Sequence, residues 1–300
     1  MNSVSKFKGL GVALITPFKD DQSVDFDRLA QIVEDMVCNG VDYLLALGTT
    51  SEYMTLTPPE KDDVLRCILD ANAKRLPVMV GLGGPNTAFM IRKLEHLSNF
   101  DCDAILTVTP YYNKPSQAGL VAHYKTFAQA TDMPIFLYNV PGRTSCNLEV
   151  ATTLRIVSEC SNIVGIKEAS GNMRQILQLI AHKPDGFAVL SGDDLLAMPL
   201  IAAGADGLVS VMANAFPKEV AELVHTTSTG NLARARQLNN LLSDLTIACF
   251  KEGSPSGIKA IMSEEGKINQ VLRLPLVPVT ENLQNTISNL IKNFRNSIFS

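Results

Sequence analysis

The chain has 300 residues, enough for two modest domains or one large α/β domain, and its 46% hydrophobic and 19% charged content supplies a sizeable core, excluding a fibrous, disordered or miniature scaffold. With 26 basic and 30 acidic side chains the formal net charge is −4, so there is no global positive field for holding nucleic acid or an anionic membrane. Small-molecule chemistry is the natural expectation.

In chain order, MNSVSKFKGLGVALITPF carries basic residues ahead of an apolar run but reaches Thr16 and Pro17 without a small-residue cleavage signal, so it reads as a first strand. The segment DFDRLAQIVEDMVCNG puts Phe26, Leu29, Ile32, Val33, Met36 and Val37 on one helical stripe, with Asp25 as N-cap and Gly40 as stop. A second helix is expected from Thr57 and its following proline, with Lys74 and Arg75 at its C-terminal end. Apolar runs begin at Leu10, Val41, Leu76, Asp103, Met133, Asn162, Gly186 and Ala205. Their spacing of roughly 20 to 35 residues leaves room for a crossover helix between most neighbours. These runs are continuously apolar, as strands buried on both faces must be. The pattern predicts a (β/α)8 TIM barrel over residues 1–230, with a doubly wound sheet as the structural alternative. After Asn214 the strand pattern stops, and residues 231–300 read as a helical region packed onto the barrel.

Six scattered cysteines, Cys38, Cys67, Cys102, Cys146, Cys160 and Cys249, form no CxxC pair or zinc spacing. Each reads as a small buried hydrophobe, disulfide pairing stays open, and a reducing compartment fits best. No apolar run approaches the roughly 18 residues of a membrane span, which makes the cytoplasm the expected location. His96, His123, His182 and His225 show no ligand spacing, and Asp193 and Asp194 do not make a metal centre, so no metal is expected.

On a barrel, chemistry gathers where strands end. Lys167 in IVGIKEASG places an amine at the mouth of an apolar strand, facing the interior if Glu168 faces out. There it can form a Schiff base with a ketone or aldehyde, or serve as a structural salt-bridge lysine. Tyr138 and Arg143 bracket YNVPGRT: a phenol can relay a proton and a guanidinium can clamp a carboxylate, although strand anchoring and loop neutralisation explain them too. Thr49, Thr50 and Ser51 in LGTTSE offer hydroxyls for a carboxylate or a proton relay, or for capping a helix. Tyr111 and Tyr112 in TVTPYYNKP form a pocket rim or an aromatic contact with another chain. GLGG at Gly81 to Gly84 and SGDD at Ser191 to Asp194 read as turns.

Together GTTSE, TVTPYYNKP, YNVPGRT, GIKEASG and LSGDD resemble the dihydrodipicolinate synthase family of class I pyruvate aldolases over approximately residues 7–300. The resemblance implies condensation of pyruvate with L-aspartate 4-semialdehyde in the diaminopimelate route of lysine biosynthesis, through a covalent substrate imine on Lys167 and without a cofactor. It further implies a proton relay of Thr50, Tyr138 and Tyr112, the last reaching a neighbouring subunit's site. Thr49 would orient pyruvate, Arg143 would recognise the semialdehyde carboxylate, and Gly192 and Val209 would contribute to the substrate pocket. A homotetramer is implied, with a dimer as the alternative, and partners that are neither nucleic acid nor membrane. The chain departs from the family in carrying Ser51 where GTTGE is usual and Val209 where isoleucine is common. Where relatives that bind lysine as feedback inhibitor use histidine and glutamate, it presents Pro58, Lys61 and Phe89, so weak or absent lysine inhibition is expected. The alternatives are another pyruvate aldolase, such as an N-acetylneuraminate or sugar-acid lyase, and a noncatalytic protein that binds a keto acid.

Overall fold

A computed structural model describes residues 3–298; the outermost residues of the two expected regions lie outside it. The strands are β1 (Gly9–Ala13), β2 (Tyr43–Ala46), β3 (Val78–Leu82), β4 (Ala104–Val108), β5 (Ile135–Asn139), β6 (Ile163–Glu168), β7 (Ala188–Ser191) and β8 (Gly207–Ser210). They pair in parallel in chain order and β8 closes onto β1, giving a closed eight-stranded (β/α)8 TIM barrel. All eight expected strands are present, and the doubly wound alternative is excluded by the closure.

The surrounding helices are α1 (Phe26–Cys38), α2 (Pro58–Asn72), α3 (Thr87–Leu97), α4 (Gln117–Ala128), the single turn α5 (Pro141–Thr144), α6 (Val150–Glu159), α7 (Met173–His182), α8 (Ala197–Ala202) and α9 (Pro217–Ser228). Asp25 caps α1 by accepting from the Arg28 N–H, and Gly40 follows the helix at φ +81°. The stripe of α1 is narrower than its sequence suggests: Leu29, Ile32, Val33 and Met36 are buried, Val37 is half-buried and Phe26 is exposed. Thr57 and Glu60 make a reciprocal capping box at α2. That helix stops at Asn72, because Ala73 and Lys74 turn left-handed, so Lys74 and Arg75 lie beyond it. Arg75 instead donates to Glu34 of α1 at 3.0 Å. Cys38 is exposed, contrary to the buried reading, while Cys146, Cys160 and Cys249 are buried; all six are free. No helix among the described residues is long and apolar enough to cross a membrane.

Past the barrel come α10 (Leu232–Lys251), α11 (Ser256–Glu264) and α12 (Glu281–Ile298). Their apolar residues, including Leu242, Ile258, Ile287 and Phe294, join the same buried cluster that fills the space between strands and helices. Phe294 meets Phe216, just ahead of α9, with ring centroids 4.6 Å apart. The helical region therefore shares the core of the barrel.

A second, smaller cluster fills the interior of the barrel. At its N-terminal end the short 3-10 helix Ser3–Phe7 turns Phe7 inward, where its ring meets Tyr43 and Phe136 edge-on at 5.4 and 5.3 Å between centroids. Room for these rings comes from Gly11 and Gly165: a Cβ at either position would fall 2.1 Å from Tyr43 or 2.3 Å from Phe136. Large rings opposite glycines thus seal one end of the barrel, leaving the other for polar groups. Replacing fully buried Phe7 by alanine opens a cavity at the centre of this stack and is expected to cost about 3–5 kcal/mol. Urea unfolding of Phe7→Ala checks this, and a loss below about 1 kcal/mol would show that the aromatic stack seals the barrel without Phe7.

Candidate active site

The C-terminal ends of β2 to β6 surround a cavity of about 370 Å³, whose outer wall comes from Ser254, Pro255, Pro275 and Leu276 of the helical region. Parity along the strands decides what faces it. In β5, Phe136 and Tyr138 point inward while Ile135 and Leu137 pack against the helices. Tyr138 lies in register with Lys167 of β6, and Asn139 with Glu168. The two inward groups meet: the Lys167 Nζ stands 4.5 Å from the centroid of the Tyr138 ring. Both residues line the cavity, and Lys167 is only 5% exposed.

The outward groups meet as well. Glu168 is buried behind the strand and accepts from the Asn139 Nδ2 at 3.0 Å, the Gln175 Nε2 at 3.2 Å and the Ser170 N–H at 2.8 Å. Asn139 also accepts from the Leu148 N–H at 2.9 Å, so each polar atom of this pair is occupied. Glu168 is thus committed to the far side of the strand and offers Lys167 no salt bridge. Among the described residues, the carboxylate next to Lys167 in sequence therefore does not support the structural ion-pair reading.

After β2 the chain makes a single 3-10 turn, Thr49–Ser51, flanked by Leu47 and Glu52 in the left-handed region at φ 54° and 55°. Thr49 lines the cavity, and Thr50 is buried within the turn. Ser51 donates its hydroxyl to the Gly48 carbonyl at 2.7 Å with no positive φ of its own, so serine closes this turn without strain. Arg143 follows β5 on α5, lines the cavity mouth and donates to the Ser254 carbonyl at 3.1 Å.

Gly192 packs against the nucleophile candidate itself: a Cβ there would fall 2.9 Å from the Lys167 Cε and 2.7 Å from the Ala169 Cβ. Val209 is fully buried in the interior cluster, in register with Gly11, and is not among the cavity-lining residues. In the SGDD turn, buried Asp194 accepts from the Ser210 hydroxyl and from the Val211 N–H at 3.0 Å, with burial pushing its carboxyl pKa up. The four histidines stand apart, with His96 on Asp62, His123 on Thr87, His182 on the Gln178 carbonyl and His225 on Asp42.

The two tyrosines of TVTPYYNKP part company. Tyr111 is half-buried, lines the cavity and brings its hydroxyl to 4.0 Å from the Met54 Sδ. Tyr112 takes a left-handed φ of 71° and is 89% exposed, so within one chain it does not join Lys167, Tyr138 and Thr49. A tyrosine held at this φ costs energy on the order of 1 kcal/mol or more.

Sequence reasoning missed the cavity's outer wall and a buried ion pair behind the Thr49–Ser51 turn, formed by Glu52 and Lys259, both side chains fully buried. The available signal was a lone lysine in the apolar stretch GIKAIM of α11.

Comparison with known proteins places this arrangement. A profile described as the dihydrodipicolinate synthetase family matches residues 6–294. The 4-hydroxy-tetrahydrodipicolinate synthase of Parabacteroides distasonis is 47% identical over 272 residues, covering 90% of this chain and 91% of the relative. That of Phocaeicola vulgatus is 45% identical over 274 residues, with 91% and 92% covered. Among solved structures, the chloride-inhibited dihydrodipicolinate synthase of Acinetobacter baumannii complexed with pyruvate superposes with a TM-score of 0.93 at 38% identity, covering 96% of this chain and 99% of that one. With a closed barrel, a lysine at the end of β6 and these relatives along nearly its whole length, the chain belongs to the dihydrodipicolinate synthetase family.

Proposed function

We propose that the protein condenses pyruvate with L-aspartate 4-semialdehyde through a Schiff base on Lys167, in the diaminopimelate route of lysine biosynthesis. The observation that carries this reading is a nearly buried amine set beside a phenol in a cavity that also holds Thr49 and Arg143. The pyruvate complex of the Acinetobacter relative supports pyruvate as the first reactant.

The neutral Lys167 amine attacks the ketone carbon, and loss of water from the carbinolamine leaves an iminium. Its positive charge withdraws electrons from the methyl group, which gives up a proton to form the enamine. The enamine carbon attacks the aldehyde of the second reactant, whose carbonyl oxygen takes up a proton. The amino group of that reactant then attacks the iminium carbon, closes the ring and expels the Lys167 amine. One water leaves overall and the enzyme is regenerated, so no cofactor is required. Tyr138 and Thr50, with Tyr112 supplied by a neighbouring subunit, relay the protons, while Thr49 orients the pyruvate carboxylate. Arg143 at the mouth receives the semialdehyde carboxylate by charge-assisted hydrogen bonds. Gly192 leaves space for the Lys167 side chain, and Val209 supports the pocket from the interior cluster. Tyr112, exposed on the single chain, favours an assembly of subunits, a homotetramer in this reading with a dimer as the smaller form, acting in the cytoplasm.

A corner near the mouth bears on regulation. Lys61 lies 4.0 Å above the Tyr53 ring, and Lys93 donates to the Tyr53 hydroxyl at 2.7 Å and sits 4.7 Å from the centroid of Phe89. Burial pushes the pKa of both ammonium groups down, and among the described residues neither is in a salt bridge. The nearby Glu60 carboxylate is already held by the Arg273 guanidinium, so the two cations still repel a third, which opposes capture of free lysine there.

Reduction with borohydride in the presence of pyruvate is expected to leave an adduct on Lys167 by peptide mass analysis and none in Lys167→Ala. An adduct only elsewhere, or sugar-acid turnover equal to that of the semialdehyde, would defeat the reading. In Gly192→Ala the displaced amine should lower kcat of the folded enzyme by about tenfold or more, since misplacement by about 1 Å can cost a hundredfold, and the close approach to the Ala169 Cβ should lower the melting temperature as well. Parental kcat in that variant would show that Lys167 has slack. Lysine should leave the rate nearly unchanged at substrate saturation, and inhibition at micromolar lysine would contradict the reading of the Lys61 and Lys93 corner.

A further inference from the structure

The Glu52 and Lys259 side chains are fully buried and paired across 207 residues of sequence. As a stabiliser such a pair is a weak choice, because desolvating two charges offsets much of their attraction, whereas removing one partner strands the other. Its surroundings show what it fixes. Glu52 is the hinge between two short turns: its N–H donates to the Thr49 carbonyl at 3.2 Å, and its own carbonyl accepts from the Thr55 N–H at 2.8 Å. One carboxylate oxygen takes the Lys259 ammonium, and the other accepts from the Arg273 N–H at 3.0 Å. Lys259 also donates to the Val271 carbonyl at 2.9 Å and stands 4.1 Å over the Phe18 ring. The Arg273 guanidinium sits at 4.5 Å over the same ring and donates to Glu60 at 2.9 Å and to the Thr55 carbonyl at 3.1 Å. The turn that presents Thr49 and Thr50 is therefore gripped from behind, with every polar atom of the carboxylate and ammonium drawn into a direction-specific bond except one ammonium hydrogen.

We infer that the Glu52–Lys259 pair is a positioning device for the reaction, through which the helical region beyond the barrel sets the placement of the Thr49 and Thr50 hydroxyls. The inference rests on the proposed chemistry at Lys167. It assigns positioning roles to Glu52 and Lys259, neither of which needs to touch substrate.

The test uses the full-length enzyme with Lys259→Met, Glu52→Gln, the double variant Glu52→Gln/Lys259→Met and the milder Glu52→Asp, which keeps the charge but shortens the arm. Steady-state kinetics and melting temperature are measured for each. In the double variant no buried charge is stranded, so the melting temperature should return toward the parent, yet kcat should stay about tenfold low and KM for pyruvate about tenfold high, with KM for the semialdehyde changed far less. Glu52→Asp should show a smaller loss of the same kind at a nearly parental melting temperature, and decides the matter should the others fail to fold. A double variant, or a folded Glu52→Asp, with parental kcat and KM overturns the inference, as does a loss that merely follows the unfolded fraction. Borohydride trapping of pyruvate on the parent separates the two failures: no adduct at Lys167 defeats the proposed chemistry, whereas an adduct with kinetically parental variants defeats only the positioning role.

Discussion

Alternation along a strand governs everything that happens inside this barrel. Each strand has an inward and an outward set of residues, and closure of the sheet leaves no third option. Because β5 and β6 are held in register, one choice of parity puts Tyr138 and Lys167 together inside and sends Asn139 and Glu168 together outside. A one-residue slip of β6 against β5 would break both pairs, placing the Glu168 carboxylate in the cavity beside Tyr138 and the amine among the helices. The buried amides that satisfy Glu168 therefore do more than solvate it. They make the wrong register costly, since a slipped Glu168 would forfeit the Asn139, Gln175 and Ser170 donors together.

The candidate catalytic groups gather at one end of the interior for a related reason. Phe7, Tyr43 and Phe136 fill the other end, and the glycines opposite them leave no room for anything but rings. Above that layer the strands run out, backbone order passes to turns, and each turn brings a different functional group: Thr49 and Thr50 after β2, Arg143 after β5, Gly192 after β7. The helical region closes the cavity from outside with Ser254 and Leu276, so the site is assembled from both parts of the chain and belongs to neither alone.

The strands were legible because runs of apolar residues separated by helical periodicity admit few other arrangements, and Lys167 stood out as an amine at the end of such a run. The caps at Asp25 and Thr57 were legible because their partners lie three residues away. Range is what hid the rest. Lys259 reads from sequence as one lysine in an apolar helix, and only folding brings it 207 residues back to Glu52. Arg75 reads from sequence as a favourable end to α2, yet two left-handed residues release it to pair with Glu34, and backbone conformation of that kind leaves little mark on a stretch such as ANAKR. Tyr112 shows the opposite difficulty. Its residue type is evident, but nothing in TVTPYYNKP distinguishes it, 89% exposed, from the half-buried Tyr111 beside it.

A barrel stopped at its base by Phe7 is a blind well with a single mouth. Whatever binds to the amine of Lys167 lies deeper than whatever is held at Arg143, so a molecule fixed at the lysine cannot leave past a second one seated above it. For the condensation proposed above, such a vessel would impose a sequence on traffic: the reactant bound at the lysine would enter first, the one held at Arg143 would follow, and the joined product would have to clear the mouth before the next cycle.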